Sequence, residues 1–258
     1  KCGSSTRPIR QITLRLLRQL NGRDVDAQWL ELLQSHWVDV QKAALVEVAR
    51  RKLDGAREIV FSRLNWDVPA PGVWDGSSRT AVVEALSEFD DVESQLKIVA
   101  IWRERPDIFT TESCHSALMK LIRRGVLADD TKLALVDLLL SDDMGMKSWR
   151  IRDVLAACSD INIANRLMEW LRTSDDELSS RMMAIEDILA SNREPNILQR
   201  MVSSVNDLTV RDTVRILYAG ALSQSKGEVP LHVCEMLIRD HNCRIRALGR
   251  RSRMVQRL

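Results

Sequence analysis

Asp207-Leu-Thr-Val-Arg-Asp-Thr-Val-Arg-Ile-Leu217 is the stretch that decides the fold. It carries an aspartate, an arginine four residues on, and the opening of an apolar helical run. The same spacing returns in Asp75-Gly-Ser-Ser-Arg79 and Asp240-His-Asn-Cys-Arg244. Aspartate suits such a place because its carboxylate accepts the unpaired amide hydrogens of a first helical turn. Around these marks the apolar residues follow helical spacing, and no stretch alternates long enough for a sheet. The pattern predicts helix pairs recurring roughly every 28 to 39 residues, with first-of-pair helices beginning near 39, 78, 111, 147, 175, 207 and 241.

Punctuation supports the same reading. Thr6 and Pro8 open a first helix, whose stripe is Ile9, Ile12, Leu16, Leu17 and Leu20, and Asn21-Gly22 ends it. Asp54-Gly55, Gly125 and Lys226-Gly227-Glu228 mark later breaks, and Pro195 and Pro230 open further helices. The segment from Asn65 to Ser77 holds four breakers in thirteen residues and reads as a loop.

The stretches Val40-Gln-Lys-Ala-Ala-Leu-Val-Glu-Val-Ala49, Asp207–Leu217 and Asp240-His-Asn-Cys-Arg-Ile-Arg-Ala-Leu-Gly249 resemble the first helix of a HEAT repeat. The resemblance implies an all-α, α-α superhelix, a HEAT-like solenoid of about seven helix pairs running through residues 1–258 as a single domain. In such an array the aspartate caps its helix and the arginine meets the neighbouring repeat's aspartate, giving a ladder. The pairs near Thr111 and Lys147 lack the full spacing. The first residues, Lys1-Cys-Gly-Ser-Ser5, read as a processing boundary, so the segment is expected to belong to a longer protein.

Composition sets the outer bounds. The 258 residues are 45% hydrophobic and 29% charged, ordinary values for a globular protein, and the net charge of +2 supplies no global field for nucleic acid. No run of about 18 apolar residues offers a membrane span. Five scattered cysteines suit reduced thiols in a cytoplasm better than a disulfide framework.

Motifs for chemistry are missing. There is no phosphate-cradling glycine loop, no His-Glu-x-x-His and no Gly-x-Ser-x-Gly, so the sequence points to no catalytic residue, no cofactor and no metal, and to a protein that is not an enzyme. His232, Cys234, His241 and Cys243 fall close together, but residues two apart on a helix point about 200° away from each other. Trp66 and Trp74 lie in the loop and serve either as plugs over a helix pair or as anchors for a protein partner. Trp29, Trp37, Trp102, Trp149 and Trp170 read as core.

From His241 to the end the chain carries Arg244, Arg246, Arg250, Arg251, Arg253 and Arg257 without an acid. Such a run suits a polyanion, and equally a helix C-terminus or the polar cap of an array. Trp149-Arg-Ile-Arg-Asp153, with Arg181, also resembles the Trp, Asp and Arg of HEAT-like bacterial alkylpurine DNA glycosylases. That resemblance implies the three converge on one DNA groove. The expected function is therefore a scaffold, adaptor or sensor binding a protein or peptide segment on a concave face. The alternative is a nucleic-acid-binding HEAT-like protein using the arginine-rich last helix.

Overall fold

The computed structural model describes residues 6–65, 78–104, 107–141, 148–175, 180–225 and 229–255, with side chains up to Ser252 in the last segment. Among them every regular element is a helix: α1 (Arg7–Gln19), α2 (Arg23–Leu32), α3 (Val38–Arg50), α4 (Ala56–Ser62), α5 (Ser78–Leu86), α6 (Val92–Glu104), α7 (Ile108–Arg123), α8 (Asp129–Leu140), α9 (Ser148–Cys158), α10 (Ile161–Thr173), α11 (Ser180–Ser191), α12 (Pro195–Asn206), α13 (Asp212–Gln224), α14 (Leu231–Arg239) and α15 (Cys243–Val255). They follow one another through short connections in the all-helical, HEAT-like arrangement that the repeated spacing predicts. The chain divides into two compact units, Lys1–Thr131 and Lys132–Leu258.

Within each unit the odd-numbered helices pack closely on one another: α1 on α3, α3 on α5 and α5 on α7 in the first, α9 on α11, α11 on α13 and α13 on α15 in the second. The helices α2, α4, α6, α12 and α14 lean on these, and α10 touches both α11 and α12. Small buried residues allow the close layer, among them Ala81, Ala85, Ala117, Ala184, Ala219 and Ala221. In each unit the odd helices thus form one continuous layer. Between the layers lie fully buried side chains such as Trp29, Leu45, Trp102, Leu118, Ile151 and Leu189. Gly249 lets α15 close on α14, since a Cβ there would meet the Leu237 Cβ at 2.7 Å and the Ile238 nitrogen at 2.8 Å.

The expected ladder exists, built from other residues than the spacing names. In four places a cation early in one helix reaches a carboxylate at the start of the next helix of its own layer. Arg10 meets Asp39 at 3.1 Å, Arg57 meets Asp91 at 3.3 Å, Lys132 meets Asp160 at 2.8 Å and Arg215 meets Asp240 at 2.5 Å. Three of these carboxylates also accept amide hydrogens at the helix start: Asp91 from Ser94, Asp160 from Asn162 and Asp240 from Asn242. Burial would push Asp91 and Asp160 up, yet these bonds and the facing cations hold both below the ordinary carboxylate range.

Two expectations change here. Asp207 is the C-cap of α12, its carboxylate turned onto Thr209, and α13 starts only at Asp212. Arg211 therefore stands before the helix and donates to the Leu171 carbonyl at 2.8 Å, while Arg215, one turn further in, takes the ladder position. Arg244 is likewise an exposed first-turn residue, its amide capped by Asn242. On α1 only Leu14, Leu17 and Arg10 are buried; Ile9, Ile12, Leu16 and Leu20 face outward. Helical spacing marks both sets as apolar and does not tell which side is covered.

Candidate functional site

In the odd-helix layer of the first unit, α5 and α7 leave a trench of about 470 Å³ between them. Small side chains make it: Thr80 and Ser87 from α5 and the segment after it, Ser113, Ser116 and Ala117 from α7. Phe109 closes one end and is 48% exposed, with Ile108 beside it 69% exposed. Asp107 sets this end, accepting the Phe109 and Thr110 amides at 3.0 Å each, so the helix begins early enough to carry both apolar residues. Glu84 and Glu112 line the walls, and Lys120 is held by Glu88 at 2.6 Å. The result is an open slot with an aromatic end, hydroxyl-bearing walls and carboxylates.

The sequence spacing starts this helix at Thr111 and leaves Phe109 outside it. Asp107, following Pro106, is the signal that places the start correctly. The trench itself has no linear signature, because its walls come from residues about thirty positions apart on two helices.

The odd-helix layer of the second unit carries a charged cluster. Arg152 of α9 reaches Asp153 at 2.8 Å and Asp187 of α11 at 2.9 Å. Next to them Glu186 lies over Gly220 of α13, in the space a Cβ would fill, and accepts from Gln224 at 2.6 Å. Burial, then the neighbouring Asp187, push the Glu186 carboxyl up, against the Gln224 bond. A cleft of about 500 Å³ at the helix ends is lined by Ser159, Asp187, Ala190, Arg193 and Gln224.

The other residues named from the sequence are not brought into one site. Trp66 and Trp74 lie outside the described residues, as do Arg257 and the Arg253 side chain. Arg244, Arg250 and Arg251 are exposed, and Arg246 folds back onto the Asp240 and His241 carbonyls at 2.9 and 2.7 Å. Trp149 is not core: its ring is 43% exposed and carries the Arg150 guanidinium at 3.9 Å. Asp153 is on the α9–α11 face, whereas Arg181 turns toward Ser141 and the Trp170 ring, on the side of α8 and α10. Trp149, Asp153 and Arg181 thus do not converge as the glycosylase resemblance implies. Cys234 is buried against Ser252 at 3.3 Å and His241 stands beside Arg215. Among the described residues no three His, Cys, Asp or Glu side chains are grouped to hold a metal ion.

No protein-family model matches the sequence, and no curated protein matches it. Among solved structures the chain is similar to human deoxyhypusine hydroxylase, at 16% identity over 99% of this chain and 92% of that one, with a TM-score of 0.37. It is also similar to the complex of CpcE and CpcF of phycocyanin lyase from Nostoc sp. PCC7120, at 13% identity over 89% of this chain and 94% of that one, with a TM-score of 0.44. Both are named for enzymes, which overturns the expectation that this chain is not one. That expectation rested on missing linear motifs, and a stack of helices assembles its sites from side chains far apart in sequence. Among the described residues no helix is long and apolar enough to cross a membrane.

Proposed function

We propose that residues 1–258 act as one protein-interaction module that holds a segment of a partner on the odd-helix layer. The observation that carries this reading is the α5–α7 trench with Phe109 standing exposed at its end. Aromatic rings that a partner can bury beside a slot are where binding energy concentrates in protein interfaces. The small hydroxyl walls admit backbone closely and offer it hydrogen bonds, and Glu84 favours a cation on the incoming segment. The segment that fits carries an apolar side chain for Phe109 and a lysine or arginine within a turn of it. The thiols of Cys114, Cys158, Cys234 and Cys243 suit a reducing compartment such as the cytoplasm.

Selection of random peptides on the purified chain tests this. Enriched peptides should pair an apolar residue with a basic one, and their affinity should fall at least tenfold with Phe109→Ala and about as far with Glu84→Lys, in line with hot-spot magnitudes. Selected peptides that bind both variants as well as the parent chain would place the interaction elsewhere and end the reading. In parallel, duplex DNA, single-stranded DNA and RNA are titrated at low and physiological salt. Salt-sensitive binding lost in Arg250→Ala with Arg251→Ala would move the function to the arginine-rich helix instead.

A further inference from the structure

A groove of about 630 Å³ lies between α10 and α12 in the second unit, with the start of α13 lining it as well. On α12 its wall runs from Arg200 to Asp207, seven positions and about 10 Å along one face of the helix. Two hydrogen bonds fix how the walls run. At one end Arg200 donates to the Asn165 side-chain oxygen; at the other, Arg211 donates to the Leu171 carbonyl at 2.8 Å. Helices α10 and α12 therefore lie parallel, with both C-termini at the Asp207 end. From that end α13 returns and brings Tyr218 close enough to Arg200 for the guanidinium charge to act on the phenol.

The two ends of the groove differ in charge. Tyr218 is 4% exposed, yet its hydroxyl has no hydrogen-bond partner among the described residues and borders the groove. Burial pushes the phenol up to about 12, against the Arg200 charge, so it keeps its proton and offers a donor. Arg200 itself meets only a neutral amide oxygen among the described residues. At the far end stand Asp175 and Asp207, where the dipoles of α10 and α12 add negative charge. The Thr209 hydroxyl and amide hold Asp207 below the ordinary carboxylate range, so it is ionised. Of the remaining charges, Arg172 is paired with Glu169 at 2.7 Å and Arg211 is drawn to the Leu171 carbonyl. Leu171 and Val214 supply apolar surface to the lining. We infer that this groove holds a free, extended peptide of about three residues: its terminal carboxylate takes the Tyr218 hydroxyl and Arg200, its terminal ammonium meets Asp175 and Asp207, and its middle side chain rests on Leu171 and Val214. Three extended residues span about 10 Å, the length from Arg200 to Asp207. The volume is that of a small-ligand site, roughly 300–1,000 Å³. The α5–α7 trench, which lies in the first unit, is a separate site.

The test titrates three probes into the full chain by isothermal titration calorimetry: Ala-Leu-Ala with free ends, its N-acetyl form and its C-terminal amide. The free peptide should bind at least tenfold more tightly than either blocked form, since each block removes one charge-assisted contact. Tyr218→Phe, which keeps the ring in place, should weaken the free and the acetylated peptide about tenfold and change the amide far less. Arg200→Gln should do the same, and Asp207→Asn should weaken the free and the amide form but spare the acetylated one. Equal affinity for all three probes, no affinity for any, or binding unmoved by Tyr218→Phe and Arg200→Gln overturns the assignment. Two further results name the rivals. An acetylated peptide that binds as tightly as the free one gives the groove to the C-terminus of another chain. Octanoate that binds more tightly than the free peptide gives it to a small organic acid. Either outcome removes the free peptide.

Discussion

Two buried charges show how single residues hold this fold. Arg215 is 1% exposed and spends its guanidinium on the Val205 carbonyl at 2.8 Å, Asp212 at 2.9 Å and Asp240 at 2.5 Å. Removing it leaves the largely buried Asp240 with the Asn242 amide but without its guanidinium. Arg215→Ala should cost about 3–5 kcal/mol in urea unfolding, the usual penalty for breaking a buried pair from one side. Glu47 is the mirror case, a 1% exposed carboxylate met by Arg50, by Arg51 at 2.9 Å and by Arg18 at 3.7 Å. Burial alone would raise it, but the hydrogen bonds from Arg50 and Arg51 outweigh that and hold it below its ordinary value. A group lowered in the folded state contributes stability above its unfolded pKa and loses it as pH falls through the folded one. Glu47→Gln should therefore cost stability at pH 7 and flatten the loss on acidification. Glu186, raised by burial and Asp187, has the opposite sign: its contribution turns unfavourable as pH climbs past the ordinary glutamate range, so Glu186→Gln should stabilise at pH 7.

For single elements the packing contacts decide what a helix tolerates. Gly249→Ala should destabilise by about 1–3 kcal/mol, as overpacking does, because α15 meets α14 backbone there and backbone cannot rotate aside. On α1, Ile12→Asp should change thermal unfolding little, within about 0.5 kcal/mol, whereas Leu14→Asp should unfold the helix from the stack. The sequence carries the helices themselves, because Pro8, Gly22, Gly125 and Pro195 punctuate the chain and apolar periodicity fills the spans. It carries the principle of the ladder but not its members: the Asp207–Arg211 spacing spans a turn, and only the true start of α13 shows that Arg215 is the inward cation. It carries α1's stripe but not which half is covered, since coverage depends on a neighbour and not on spacing. The trench of Thr80, Ser113 and Phe109 is an alignment of two helices, and no window of sequence contains it.

On the scale of the molecule, each unit is a row of near neighbours. The four rungs join residues 29, 34, 28 and 25 positions apart, so each closes within a single repeat's length of chain. Stability in such rows is a sum over adjacent pairs. Arg215→Ala should accordingly speed amide hydrogen exchange in α13 and α15 most and in α9 least, a gradient that exchange measured by mass spectrometry resolves. The same short reach bears on how the protein is made. Synthesis delivers about 5–20 residues per second, so each cation waits only a few seconds for its carboxylate partner to emerge. A growing chain can thus fasten neighbouring helices of one layer as it leaves the ribosome, each completed rung tying a helix to the next of its own layer before the chain beyond is made.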